Sequence, residues 1–271
     1  MSEFRYAQFG REGPRVLRMG LSATYWPGQK TIHHALDNGV NLFFAYGFDL
    51  QMVKTLRDVF KADRDQKILT TGAYNLIWTH QNIRKTLEKR LRQFRTDYID
   101  NFLFLGVMKG EQLSERVRDE LRSLKDEGKV RRIGISCHDR KFAGQLATEG
   151  VFDTFMIRYN AAHRGAERDI FPHLNDHDPS VISYTATRWG FLIRRPRGYP
   201  KNKRIPTPVD CYRFVLSNPN VDVVLTAPSK LNHLKENLAA LNQGPLSKED
   251  LSFMRDFGDL IRAKNKRFLG G

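Results

Sequence analysis

Apolar, β-prone runs alternate with segments of helical period along almost the whole chain. VLRMGLS precedes a predicted helix over residues 30–38, which stops at Gly39, a natural place for a glycine just past a helix end. VNLFFAY precedes a segment with Val53, Leu56 and Phe60 on one face. KILTTGAY precedes a longer one whose buried stripe is Ile83, Leu87, Leu91 and Phe94. YIDNFLFLGV leads into a helix over 114–127, VRRIGISC into one near 141–149, and DTFMIRYN into one near 167–175. SVISYTA precedes a basic loop and a helix over 209–217. VDVVLTAP precedes a helix carrying Leu234, Leu238 and Leu241.

Eight such βα units in order predict an α/β fold, a (β/α)₈ TIM barrel. A doubly wound open sheet is the alternative, but it needs a glycine-rich first turn, and no GxGxxG follows the first strand. Two segments fall outside the repeat. FRYAQFGREGPRV reads as an N-terminal hairpin across a barrel end, and residues 247–264 read as an extra C-terminal helix carrying Phe253, Phe257 and Leu260. No linker-like stretch divides the sequence, so residues 1–271 are expected to form a single domain.

Composition changes this picture little. A chain of 271 residues with 40% hydrophobic and 28% charged residues can build a large core and is not disordered. Cys137 and Cys211 are the only cysteines, without CxxC or zinc spacing, so neither a metal nor a disulfide framework is expected. No apolar run reaches membrane-spanning length and the first residues carry no apolar signal core, which points to a cytoplasmic protein away from the membrane. The net charge is +15, yet most of it is scattered over predicted surface helices, as at Arg84, Lys85, Lys89, Arg90 and Arg92. That argues for solvated faces rather than a nucleic-acid partner. Only residues 188–204 are densely basic, and their prolines and glycines make them a loop.

In a (β/α)₈ barrel the chemistry sits at the C-terminal ends of the strands. That rule selects Thr24, Tyr25 and Trp26 after the first barrel strand and Tyr46 after the second. Tyr74, Trp78 and His80 follow the third, Lys109 the fourth, and Ser136 and His138 the fifth. Asn160, His163 and Arg164 follow the sixth, Tyr184 and Arg188 the seventh, Ser229 and Lys230 the eighth. Ser229 and Lys230 stand where the last barrel helix begins, so its free N–H groups suit a phosphate, or Ser229 is simply its N-cap. Tyr184 could offer its face to a flat ring or fill the barrel mouth.

The order of motifs resembles the aldo-keto reductase family over nearly the whole length. REGPRVLRMGLSAT is similar to the family's hairpin and first strand, and GVNLFFAYG to its G-x-N-x-x-D-T-A…Y-G segment. TDYIDNFLFLG, GKVRRIGISCH, FMIRYN, ISYTATRWGFL and VLSNPNVDVVLTAPSKLNHLKENLAAL resemble its later motifs in order. The resemblance implies an NADP(H) cofactor and a small-molecule carbonyl substrate. The family's tyrosine protonates the developing alkoxide and is tuned by a lysine, since a phenol of pKa about 10 is otherwise a slow donor.

Carried over, Ser136 matches the carboxamide-binding serine, while Cys137 and Met156 replace its usual partners. Tyr184 matches the tyrosine that stacks on the nicotinamide. Ser229, Lys230 and Asn237 match the segment that grips the adenosine phosphate and adenine, with Glu236 beside it and His233 where the family frequently has an arginine. Thr24, Asn160 and Arg188 complete the expected cofactor set. On the catalytic side Phe44, Gly72 and Leu105 stand where an aspartate, a lysine and a histidine are expected, and Tyr46 alone matches the tetrad. The leading reading is an oxidoreductase with a rebuilt donor site, Tyr46 helped by another polar group of the same barrel end, such as Tyr25, His80, His138 or Lys109. A catalytically inactive NADPH-binding sensor or partner protein and a non-redox enzyme on the same barrel are the alternatives. A polyanion site in residues 188–204 is set behind a loop that folds over the cofactor's diphosphate.

Overall fold

The computed structural model describes residues 4–76, 79–174 and 176–264. Strands β1 (Tyr6–Gln8) and β2 (Arg15–Leu17) form the antiparallel hairpin. Eight parallel strands then close a barrel: β3 (Met19–Ser22), β4 (Leu42–Phe44), β5 (Ile68–Tyr74), β6 (Ile99–Val107), β7 (Val130–Cys137), β8 (Thr154–Arg158), β9 (Ser180–Tyr184) and β10 (Val223–Thr226). Each pairs with the next in sequence, and β10 pairs back to β3. The crossover helices are α1 (Gln29–Asp37), α2 (Leu50–Asp63), α3 (Ile83–Phe94), α4 (Glu115–Asp126), α5 (Arg140–Glu149), α6 (Ala166–Asp169), α7 (Pro208–Leu216) and α8 (Leu231–Ala239). The further helix α9 (Lys248–Lys264) follows.

Local sequence explains the boundaries. Gly39 takes φ 84° after α1, a conformation a side chain would strain. Asp49 accepts hydrogen bonds from the Gln51 and Met52 amides to start α2, and Asn82 from the Lys85 amide to start α3. Thr207, Pro208 and Asp210 make a capping box at α7. The helix expected near 167–175 is shorter: α6 ends at Asp169, and a 3₁₀ turn over Phe171–His173 follows. Pro172 lacks an N–H and disfavours α geometry at Phe171. The last residue of that expected helix, 175, lies outside the described residues.

The apolar interior has two parts. One fills the space between strands and helices. The other fills the barrel: Phe9 and Val16 of the hairpin segment close its lower end, with Leu42, Phe44, Leu103 and Leu105 above. Tyr46, Tyr74 and Tyr184 pack on this second cluster at the C-terminal mouth. Arg90 departs from the solvated-face expectation. It is half-buried, because it stands three residues after Leu87 and four before Phe94, on the face α3 turns inward.

Candidate active site

Strand ends bring four of the expected mouth residues together. Thr24, Tyr25, Tyr46 and Tyr184 line one cavity of about 290 Å³, with Ser22, Met156, Thr185, Thr187 and Trp189. Tyr46 belongs to a chain of hydroxyls in its wall. Its hydroxyl lies 3.1 Å from Thr24 Oγ1, which lies 2.8 Å from Ser22 Oγ. Its ring stacks on Phe48 with centroids 5.0 Å apart, lies 6.0 Å from Tyr74, and meets Phe44 edge-on at 5.0 Å. Burial, reinforced by neighbouring Tyr46, pushes the Tyr74 phenol well above its ordinary range, so Tyr74 stays protonated. Tyr184 is pushed up by burial too, against the favourable effect of Arg158 and a hydrogen bond with Ser136.

Phe44, Gly72 and Leu105, where the family resemblance leads one to expect an aspartate, a lysine and a histidine, are apolar and packed. Phe44 and Leu105 belong to the barrel interior. Gly72 could not carry a side chain: a Cβ there would lie 2.0 Å from the Leu103 carbonyl oxygen of β6.

His138 lies beside the cavity rather than in it. It lines a separate small cavity of about 20 Å³ with Arg140, Arg158 and His163, and Tyr184 borders both. Burial and then Arg158 hold the His138 imidazole below its ordinary range. His163 is held down to about 3 by burial, then by Arg158 and further arginines. His80 lines neither cavity. Its Nδ1 lies 2.9 Å from the Gln81 carbonyl and its ring packs edge-on against Phe104. Of the expected helpers of Tyr46, Tyr25 shares its cavity, whereas His80 and His138 do not line it. Lys109 is exposed on the β6–α4 connection, and Arg164 is bound to Asp259 of α9. Trp78 lies outside the described residues.

The expected cofactor residues divide into open and committed groups. Ser229 and Lys230 are exposed ahead of α8, and Lys230 is its N-cap without a side-chain capping bond. His233 and Glu236 are exposed along the same helix. Asn237 is buried, and its amide donates to Thr226 Oγ1 at 2.8 Å and to the Tyr212 hydroxyl at 3.4 Å. Asn160 is buried and ties the loops after β8 and β9: its Nδ2 donates to the Thr185 carbonyl, and its Oδ1 accepts the Ala162 and His163 amides. Ser136 is buried beside Tyr184. Cys137 has a thiol pushed up to about 12 by burial and donates to the Asp139 carbonyl.

Backbone strain concentrates in the loop after β9. Thr185, Arg188 and Trp189 take φ of 60°, 50° and 53°. Left-handed geometry at a β-branched residue is an outlier, and such strain gathers where a site needs a fixed shape. The distal part of the basic loop does not follow the diphosphate expectation. Tyr199 packs on Phe257, Arg204 lies 3.9 Å over the Phe253 ring, and Arg204 pairs with Asp250 at 2.6 Å, all on or beside α9.

The model of the Aldo/keto reductase family matches residues 27–209. The chain belongs to the aldo/keto reductase family. It is 28% identical over 214 residues to aldo-keto reductase YhdN of Bacillus subtilis, covering 69% of this chain and 63% of that protein. The match to the oxidoreductase YqkF of the same organism likewise covers 64% of the relative, so the chain spans just under two thirds of both. Among solved folds it superimposes on aldo-keto reductase AKR11C1 from Bacillus halodurans, holo form, with TM-score 0.78 at 19% identity, over 93% of this chain and 96% of that one. The aldo-keto reductase of Klebsiella pneumoniae in complex with NADPH follows at TM-score 0.72 and 20% identity, over 94% and 95%.

Proposed function

We propose that this family member is an NADP(H)-dependent oxidoreductase acting on a carbonyl compound, with Tyr46 as proton donor in a non-standard site. The observation that carries this reading is the shared cavity, which holds Tyr46 with its Thr24–Ser22 hydroxyl chain and the ring of Tyr184. Family membership and the NADPH complex of the Klebsiella relative support it.

The residues fit the cofactor unevenly. The first turn of α8 has uncapped amides with Lys230 and Ser229 exposed beside them, a donor set suited to a phosphate. Tyr184 and Ser136 would hold the nicotinamide end, with Met156 offering only apolar contact. When bound, NADPH supplies the hydride that reduces the carbonyl carbon. Tyr46 holds the proton destined for the carbonyl oxygen, and Thr24 and Ser22 fix the direction of its hydroxyl. Phe44, Leu105, Met156 and Leu225 keep the floor dry and apolar.

The rim favours an apolar substrate. The exposed large apolar side chains among the described residues are Tyr25, Trp26, Phe48, Leu50, Leu76, Met108 and Trp189. Six of them stand on connections that leave the C-terminal ends of barrel strands, and Leu50 opens α2 at the end of one. An apolar patch so confined marks a binding surface.

The test is a fluorescence titration with NADPH, then NADPH consumption with aldehydes, ketones and quinones. The protein should bind NADPH, and Lys230→Ala should weaken binding about tenfold, the worth of one charge-assisted contact. No binding at physiological cofactor levels overturns the proposal. Binding without turnover favours a non-catalytic cofactor-binding role, which the packed Phe44, Gly72 and Leu105 positions would suit.

A further inference from the structure

Charge is paired over much of the molecule but not on the loop from β9 to α7. At the closed end of the barrel Asp65 meets Arg131, Asp100 meets Arg64, and Asp153 meets Lys125. On the flanking helices Arg84 meets Glu127, and Arg122 meets Glu115. Residues 194–204 instead hold exposed arginines and lysines with no acid among them. This loop fixes its own shape. Arg195 donates to the Pro200 carbonyl and, at 2.9 Å, to the Lys203 carbonyl. The Tyr199 hydroxyl donates to the Arg204 carbonyl at 3.2 Å, and Lys264 of α9 donates to the Arg197 carbonyl. Arg204 takes Asp250 as its partner. Arg194, Arg197, Lys201 and Lys203 are left exposed, and none of the four meets a carboxylate among the described residues. Arg262 and Lys264 extend the patch at the same barrel end. There α9 lays Gly258 against the Ala161 carbonyl and Asp259 on Arg164, both of the β8–α6 connection.

The apolar rim stands at this same end, and Trp26, Phe48, Leu50 and Met108 are each more than half exposed there. We propose that the mouth end of the barrel docks on an anionic phospholipid surface, with the basic loop on the headgroups and the apolar rim entering the layer beneath them. The two features are what such a surface selects: unpaired cations for its charge, and aromatic and aliphatic tips for its apolar boundary. A nucleic acid matches them less well. It stacks its bases on rings, yet Tyr199 of the loop is turned onto Phe257, and Leu50, Leu76 and Met108 offer no ring. Tyr25 and Trp189 belong to both the rim and the cavity wall, so docking sets the cavity against the lipid. Among the described residues no helix is long and apolar enough to cross a membrane, and the contact proposed is peripheral. It departs from the expectation of a protein away from the membrane, which rested on the lack of a spanning run.

The test is co-sedimentation of the whole protein with vesicles of phosphatidylglycerol and phosphatidylcholine in equal parts, against vesicles of phosphatidylcholine alone. The protein should bind the anionic vesicles, and binding should weaken as salt rises. Each cation beside such a surface is worth about fivefold in affinity, so Arg194→Gln, Arg197→Gln, Lys201→Gln and Lys203→Gln in one chain should weaken binding about a hundredfold or more. Trp26→Ser with Met108→Ser should weaken it about tenfold, a loss that a purely ionic contact would not show. Failure to bind anionic vesicles at low salt overturns the inference. So does wild-type binding in either variant, or tighter binding to single-stranded DNA than to the vesicles. Should the fourfold loop variant fail to fold, Arg197→Gln with Lys201→Gln carries the same comparison, with an expected loss of about twentyfold. The vesicles hold neither cofactor nor carbonyl, so the outcome is independent of the reductase reading.

Discussion

At Gly72 the backbone of β5 runs so close to Leu103 that only a glycine fits. A lysine at this position cannot be reinstated by substitution alone. Gly72→Lys should destabilise the protein by about 1–3 kcal/mol, the usual cost of overpacking, and should not raise turnover. Denaturant unfolding with a parallel rate assay checks this, and a stable, faster variant would contradict it. Phe44 and Leu105 are packed in the same barrel interior. Removing a buried charge pair as a unit costs a core little, and the apolar side chains at these positions pack the barrel interior. At this scale the strand-end rule made Thr24, Tyr46, Ser136 and Tyr184 legible. Ser22 and Arg90 were not. Ser22 is the last residue of β3 rather than a loop residue, and the charge of Arg90 hid a spacing from Leu87 and Phe94 that marks the buried face.

Among elements, two buried titrating groups pull stability in opposite directions with pH. Asp222, just before β10, accepts the Val181 amide of β9 at 2.8 Å. Burial, helped by nearby Asp178, pushes its carboxyl up to about 7. Between about pH 4 and 7 the folded chain therefore holds a proton that the unfolded chain releases, so this contribution is complete at low pH and is lost as pH rises through 7. His163, after β8, is held down to about 3 by burial and then by Arg158. Between that value and about 6.5 the unfolded chain binds the extra proton, so this contribution is complete above 6.5 and is lost on acidification. Urea unfolding across this range should show Asp222→Asn gaining on wild type as pH rises and His163→Gln gaining as it falls. Profiles parallel to wild type would contradict both assignments. The shortness of α6 and the docking of the basic loop on α9 also belong to this scale. They depend on Pro172 and on contacts with distant Phe253 and Phe257, which local periodicity does not report.

For the molecule as a whole, the barrel is written locally. Eight runs of β-prone residues, each followed by one helical stripe, admit few closed arrangements, and short caps such as Asp49 and Asn82 set the phase of each unit. The site is different, because it is assembled from strand ends far apart in sequence. Which of the mouth's hydroxyls share a cavity was not available from spacing: Tyr46 joins Thr24, whereas His80 and His138 fall outside. The account's central claim is that Tyr46 donates the proton in a barrel without the family's lysine. It is tested most directly by single-turnover oxidation of bound NADPH with a reactive carbonyl, in wild type and in Tyr46→Phe. The expected result is NADPH binding in both proteins and a rate at least about a hundredfold lower in the variant, the usual worth of a positioned acid. Equal rates in the two proteins would contradict the claim.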